Sequence, residues 1–161
     1  MKFCCITGPR EIPTEKIEYI HQMLLQEIEQ AIEDGFTGFL SGMDRGTDLE
    51  FAKIVVEKKK EIPELFLEAV YPYAGRMKAK SKGVRELMSQ CSGFKLIGQK
   101  YNRDCQFAAN RYLLEFAERV IAVSDGNTKN NTAQMLRMAA AKGLEVHVIS
   151  LSEQEEAISR H

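Results

Sequence analysis

Residues 119–124 read RVIAVS and run directly into DGNTKNNTAQM at 125–135. VIAV at 120–123 is apolar at every position, so an extended chain there is apolar on both faces. Such a strand belongs in the middle of a parallel sheet, covered by helices above and below. Small and polar residues around Gly126 follow, and then a helical pattern. That strand, loop, helix order is the unit of an α/β fold.

The same order repeats outward from this stretch. Runs rich in β-branched or aromatic residues predict strands at 2–7, 36–41, 65–71, 94–97, 119–124 and 145–151. Helices are predicted at 14–34, 47–60, 104–118 and 132–142, with a weaker pattern over 77–91 that contains Gly83. The first helix puts Ile17, Ile20, Leu24, Ile28 and Ala31 on one stripe and stops at Gly35; the second turns Leu49, Ala52, Val55 and Val56 inward; Gly143 closes the last. Mostly short connections then imply a single-domain, Rossmann-like three-layer sandwich, with a mostly parallel sheet of about six strands and right-handed crossovers. The domain is expected to span 1–151, followed by a polar tail at 152–161. In such sheets ligands sit beyond the carboxyl ends of the strands, where strand order reverses.

The bulk numbers agree with this class and exclude others. At 161 residues, 44% hydrophobic and 28% charged, the chain reads as one soluble globular domain. A net charge of −1 supplies no overall field for nucleic acid or an anionic membrane. Cys4, Cys5, Cys91 and Cys105 form no C-x-x-C pair, and His21, His147 and His161 have no ligand spacing, so buried thiols and no metal are expected. His147 falls inside a strand and reads as structural. No run reaches membrane-spanning length, and a cytoplasmic location is the expectation.

Three loops fall on one edge of the expected sheet. The first is TGPR, where Thr7 and Gly8 end a strand and Arg10 can offer a forked pair of donors to a phosphate or carboxylate. The second, SGMDRGTDLEFA at 41–52, brings Ser41, Gly42, Asp44, Gly46 and Asp48; Thr47 to Glu50 reads as a capping box, and the two aspartates suit sugar hydroxyls. The third, SDGNTKNNTAQM at 124–135, offers Gly126, Thr128, Asn130, Asn131 and Thr132 as an anion nest ahead of a helix. Each loop alone is as consistent with ordinary turn chemistry; their convergence favours a site. Arg111 shares a helical stripe with Phe107, Ala108 and Leu114, which predicts that it faces the sheet. Its partner there is either an acid of its own helix or a ligand phosphate. A basic stretch, Arg76, Lys78, Lys80, Lys82 and Arg85, follows Tyr71 and Tyr73. It reads as a solvated helix face, a terminal-phosphate contact or a single-strand footprint.

These stretches together resemble the SLOG superfamily of Rossmann-like proteins, in particular its bacterial-type YpsA-like branch. The resemblance covers nearly the whole chain: TGPREIP (7–13), SGMDRGTDLEFA (41–52), YPYAGRM (71–77), NRY (110–112) and DGNTKNNTAQM (125–135). Pro9 stands where the branch usually has histidine, and Asn130 and Asn131 stand where it usually has glycines. The superfamily includes nucleotide sensors, the DNA-processing protein that loads recombinase onto single strands, and cytokinin-activating phosphoribohydrolases. The resemblance implies binding of a nucleotide or derivative such as ADP-ribose, NAD or a nucleoside phosphate, with no cofactor required. The residues it implies are Gly8, Arg10, Ser41, Gly42, Asp44, Asp48, Arg111, Gly126, Asn131 and Thr132. It also implies a homodimer.

Two alternatives stand beside binding. One is hydrolysis of an N-glycosidic bond. In the phosphoribohydrolase motif P-G-G-x-G-T-x-x-E, setting its threonine on Thr132 leaves Met135 where the glutamate belongs; hydrolysis could still run on Asp44, Asp48 or Glu50, but nothing in the spacing shows it. The other is single-stranded nucleic acid binding through the basic stretch. Binding without catalysis is favoured, because a plausible pocket lacks an evident acid or base.

Overall fold

The computed structural model describes residues 1–78 and 81–151. Lys80 of the basic stretch and the expected tail at 152–161 lie outside the described residues.

Among the described residues there is one sheet of six strands: β1 (Lys2–Thr7), β2 (Phe36–Ser41), β3 (Phe66–Tyr71), β4 (Gly93–Leu96), β5 (Ala117–Ser124) and β6 (Glu145–Ser150). All neighbours pair in parallel, in the order β4-β3-β2-β1-β5-β6. Five α-helices connect them: α1 (Ile17–Glu33), α2 (Thr47–Glu61), α3 (Lys82–Ser89), α4 (Cys105–Phe116) and α5 (Asn131–Ala141). From β1 the chain steps outward through β2 and β3 to β4, then crosses to β5 on the other side of β1. The order therefore reverses between β1 and β5, the position at which such sheets open a crevice. None of these helices is long and apolar enough to cross a membrane.

Alternation along the strands divides the core into two layers. Cys4, Ile6, Phe39, Leu67, Ile121 and Val123 face α1, α2 and α3, where Ile20, Leu24, Ile28, Phe51 and Val55 meet them. Their neighbours Cys5, Leu40, Val70 and Val120 face α4 and α5 through Leu113, Leu114, Met135 and Ala139. Each large side chain so buried contributes roughly 1.5–3 kcal/mol. VIAV is fully buried on both faces, as its composition requires.

The departures from expectation are local. Ile17, the first residue of α1, lies ahead of the packed part of the helix and is 47% exposed. Leu49 is half-buried, while Phe51 and Ile54 are buried, because α2 lies between α1 and α3 and packs on a broad face. Within the stretch 77–91 the described helix is only the short α3, which Ser81 caps by accepting from the Val84 amide at 3.2 Å, and Met77 ends a 3-10 turn that begins at Ala74.

At the amino ends of the central strands a charged network ties three elements together. The Arg119 Nη2 of β5 donates to Asp34, just past α1, at 2.8 Å and to Glu145 of β6 at 3.0 Å. Its guanidinium lies 4.6 Å from the Phe36 ring. His147 bridges Glu27 of α1 at 2.6 Å and Glu145 at 2.9 Å. Burial opposes a charged imidazole, but the two carboxylates outweigh it and hold His147 above its ordinary value. His147 is thus a tie between α1 and β6, far from the crevice.

Candidate functional site

The loops after β1 and β2 are docked into one another, and Thr47 is the peg. No capping box forms. Gly46 precedes the helix with no side-chain cap, and the Thr47 hydroxyl and amide both donate to the Pro9 carbonyl, at 3.0 and 3.2 Å. Thr47 is fully buried, so this contact across loops takes the hydroxyl that a capping box would use. Glu50 instead meets His21 of α1 at 2.7 Å. Two glycines allow the approach. A Cβ on Gly8 would lie 2.4 Å from the Thr47 hydroxyl, and one on Gly46 (φ +82°) would lie 2.5 Å from the Arg10 carbonyl oxygen.

The β2–α2 loop is also held from within. Ser41 is buried; its hydroxyl donates to the Asp48 carbonyl at 3.0 Å and accepts from the Met43 amide at 3.1 Å. Met43 adopts a left-handed backbone (φ +56°), which a residue with a side chain takes only under constraint.

The result is a cleft of about 230 Å³ at the carboxyl ends of β1, β2 and β3. Arg10, Asp44, Asp48 and Arg76 supply its charges, Gln106, Asn110 and Asn131 its neutral polar groups, and Ile6, Val70, Leu113 and Met135 its apolar wall. The Asp44 carboxylate receives Arg10 at 3.1 Å and Arg76 at 3.3 Å. Among the described residues Asp48 has no such cation within hydrogen-bond distance. Its Oδ2 accepts only a long 3.4 Å contact from the Asp44 amide and would be 2.8 Å from a Cβ on Gly42. Burial, reinforced by the Asp44 carboxylate, pushes the Asp48 carboxyl up to about 7. Two carboxylates four residues apart therefore differ in kind: one clamped by arginines, the other ready to hold a proton at neutral pH.

The far wall of the cleft is α4, and here the structure corrects the sequence. Arg111 is exposed and lines a separate hollow with Leu114, Glu115, Met138 and Lys142. The face turned inward carries Cys105, Ala109, Asn110 and Leu113, while Phe107 is 43% exposed. Asn110 is fully buried; its amide donates to Asn131 at 2.7 Å and accepts from Gln106 at 3.2 Å, joining α4 to α5.

The third loop keeps many of its donors for itself. Asp125 accepts from the Asn127 amide at 2.9 Å, Asn127 from the Lys129 amide at 2.7 Å, and Asn130 from the Ala133 amide at 2.9 Å, capping α5. Helix α5 thus begins at Asn131, one residue before the expected Thr132. The Thr132 hydroxyl is buried at 3.1 Å from that of Thr7, pinning α5 to β1. Asn130, Asn131 and Thr132 line a second, outer chamber of about 440 Å³ with Gly8 and Arg10; Gly126 and Thr128 line neither space.

A family model described as the YspA SLOG family (YpsA) matches residues 11–153 of the 161. The chain belongs to the YpsA family. A UPF0398 protein of Ligilactobacillus salivarius (strain UCC118) is 24% identical over 124 residues, covering 73% of this chain and 68% of the relative. Among solved structures, DNA processing protein A from Helicobacter pylori, studied for its single-stranded DNA binding mode, matches with a TM-score of 0.69. It is 13% identical over 99% of this chain and 72% of its own. A structural-genomics target designated TM1055 matches at 0.58, 18% identical over 91% of this chain and 72% of its own. At those identities the structural likeness speaks for the fold.

In this YpsA-family chain the basic stretch does not act as one surface. Arg76 turns into the cleft, whereas Lys78, Lys82 and Arg85 are exposed and Lys82 lies 3.9 Å from Glu86. Tyr71 is buried, which removes it as a stacking platform, and Tyr73 packs edge-on to Tyr101 at 5.4 Å between ring centres. Asn110 and Gln106 carried no sequence signal beyond NRY, since polar residues in a helix usually face water.

Proposed function

We propose that this YpsA-family chain binds a small nucleotide or nucleotide derivative, of the ADP-ribose, NAD or nucleoside-phosphate kind, in the cleft above β1, β2 and β3. One observation carries this: arginines, carboxylates and an apolar wall converge in a single cleft at the carboxyl ends of β1, β2 and β3, beside the point where strand order reverses. Arg10 and Arg76 match a phosphate, Asp44 and Asp48 match ribose hydroxyls, and Val70, Leu113 and Met135 match the face of a base. An anionic ligand would take the arginines over from Asp44, which is half-buried and already pre-positions them.

A thermal-shift titration with AMP, ADP-ribose and NAD, followed by mass spectrometry of each ligand, tests this. A concentration-dependent rise in the midpoint, weakened in Arg76→Ala and Asp44→Asn, supports binding. Silence from all three nucleotides would end the proposal. Release of free base would turn the same cleft into a hydrolase site with Asp48 as its proton donor.

Single-stranded nucleic acid is the second reading. It is favoured by the exposed Lys78, Lys82 and Arg85 beyond β3 and by the DNA binding for which the Helicobacter pylori neighbour was studied. The near-neutral net charge and the burial of Tyr71 weigh against it.

A further inference from the structure

The inner cleft, about 230 Å³, falls short of the roughly 300–1,000 Å³ that encloses a drug-sized ligand. A nucleotide held there must extend out of it, and the structure offers a continuation. Gly8, Arg10 and Asn131 line both the inner cleft and the outer chamber of about 440 Å³, so the two spaces meet across the β1–α1 loop. Together they reach the middle of the usual range.

The order of charge along this groove is informative. Asp44 and Asp48 lie at the inner end with Arg76, Arg10 lies at the divide, and Arg45, Glu11 and Asp125 line the outer chamber. Arg45 donates to Glu11 at 3.0 Å, with the two side chains 60% and 81% exposed. Exposed pairs of this kind contribute little, so Arg45 is readily given up to a better anion. Arg10, 61% exposed, is similarly open to a shared contact. Carboxylates at both ends suit sugar hydroxyls, Arg10 at the divide suits a phosphate between them, and Arg45 adds a cation to the outer side.

We propose that the ligand is a two-part molecule, two sugar or nucleoside units joined through a diphosphate, which straddles the β1–α1 loop. One unit occupies the inner cleft beside Asp44 and Asp48. The diphosphate lies over Gly8 and Arg10, and the far unit enters the outer chamber beside Arg45. This rests on nucleotide binding in the inner cleft and adds the class of nucleotide and a second subsite.

Calorimetric titration of the full chain with AMP, ADP and ADP-ribose separates the two claims. ADP-ribose is expected to bind at least about ten-fold more tightly than AMP. Arg45→Ala should cost ADP-ribose about ten-fold and leave AMP within about two-fold, whereas Arg76→Ala should weaken all three. Arg45 is exposed, so its variant is expected to fold, and an unchanged melting midpoint would verify that. Equal affinities for AMP and ADP-ribose, with Arg45→Ala silent, would overturn the two-part ligand and leave the inner cleft as a mononucleotide site. Failure of all three to bind would overturn the nucleotide proposal itself.

Discussion

Asp48 is the residue whose environment is least explained by folding alone. Its carboxyl is raised from 3.8 to about 7 by burial and by Asp44, so the folded chain prefers it protonated. The stability this provides is fully present below about pH 4 and is lost as pH rises through about 7. Asp48→Asn removes the titration. It is therefore expected to gain on the wild type progressively between about pH 4 and pH 7, levelling at roughly 2–4 kcal/mol. Urea unfolding at several pH values measures this, and a difference that stays flat with pH would show that Asp48 is not perturbed. The aspartates at 44 and 48 were legible in the sequence as a pair in a polar loop. Their inequality was not, because it comes from the burial of Asp48 and from the arginines gathered on Asp44, one of which, Arg76, is distant in the chain and stands among the exposed lysines in sequence. Arg111 was misplaced for a different reason. One residue on a helix is a turn of about a hundred degrees, and the apolar but exposed Phe107 pulled the predicted stripe off the true inward face at Ala109, Asn110 and Leu113.

At the scale of elements, the two cleft loops behave as one body because Thr47 and Gly46 lock them. Gly46→Ala carries both the cost of a positive φ and a Cβ against the Arg10 carbonyl oxygen, whereas Gly126→Ala (φ +83°) meets nothing within 4 Å. The first is expected to lose roughly 2–3 kcal/mol and the second about 1 kcal/mol, measured by denaturant unfolding. Equal losses would mean that the loops are not locked. The sequence offered Thr47-Asp48-Leu49-Glu50 as a self-sufficient cap, and a local pattern cannot reveal that the Pro9 carbonyl is nearer. At the opposite end, Arg119→Met removes the tie between α1, β5 and β6. Asp34 and Glu145 are partly exposed and can return to water, so the cost should be about 1–3 kcal/mol. A variant as stable as the wild type would show that the network contributes nothing measurable.

For the whole molecule, the parallel three-layer sandwich could be read from one strand. Nothing but burial on both faces accounts for VIAV, and the bounds expected at 2–7 and 36–41 agree with Lys2–Thr7 and Phe36–Ser41. Strand order was less accessible, since it depends on where the chain crosses over after β4. A net charge of −1 also sets an expectation at this scale. Binding to a labelled single-stranded oligonucleotide, followed by anisotropy, should be no tighter than about 10⁻⁶ M at physiological salt. A much tighter complex would favour the nucleic-acid reading.

Because Cys4 of β1 pairs with Arg119 of β5, the centre of the sheet closes late in synthesis. Strands β1 to β4 and helices α1 to α3 leave the ribosome first, and Cys5, Leu40 and Val70 then have no cover until α4, β5 and α5 arrive. A nascent chain in that interval carries a half-clad, adhesive sheet, the kind of surface that recruits chaperones or aggregates. Parallel pairing across most of the chain is also slow. A chain interrupted before Ala117 would keep the pairing of β1 with β2 but leave the other edge of β1 open, lack the α5 side of the crevice, and expose part of an apolar face in its place.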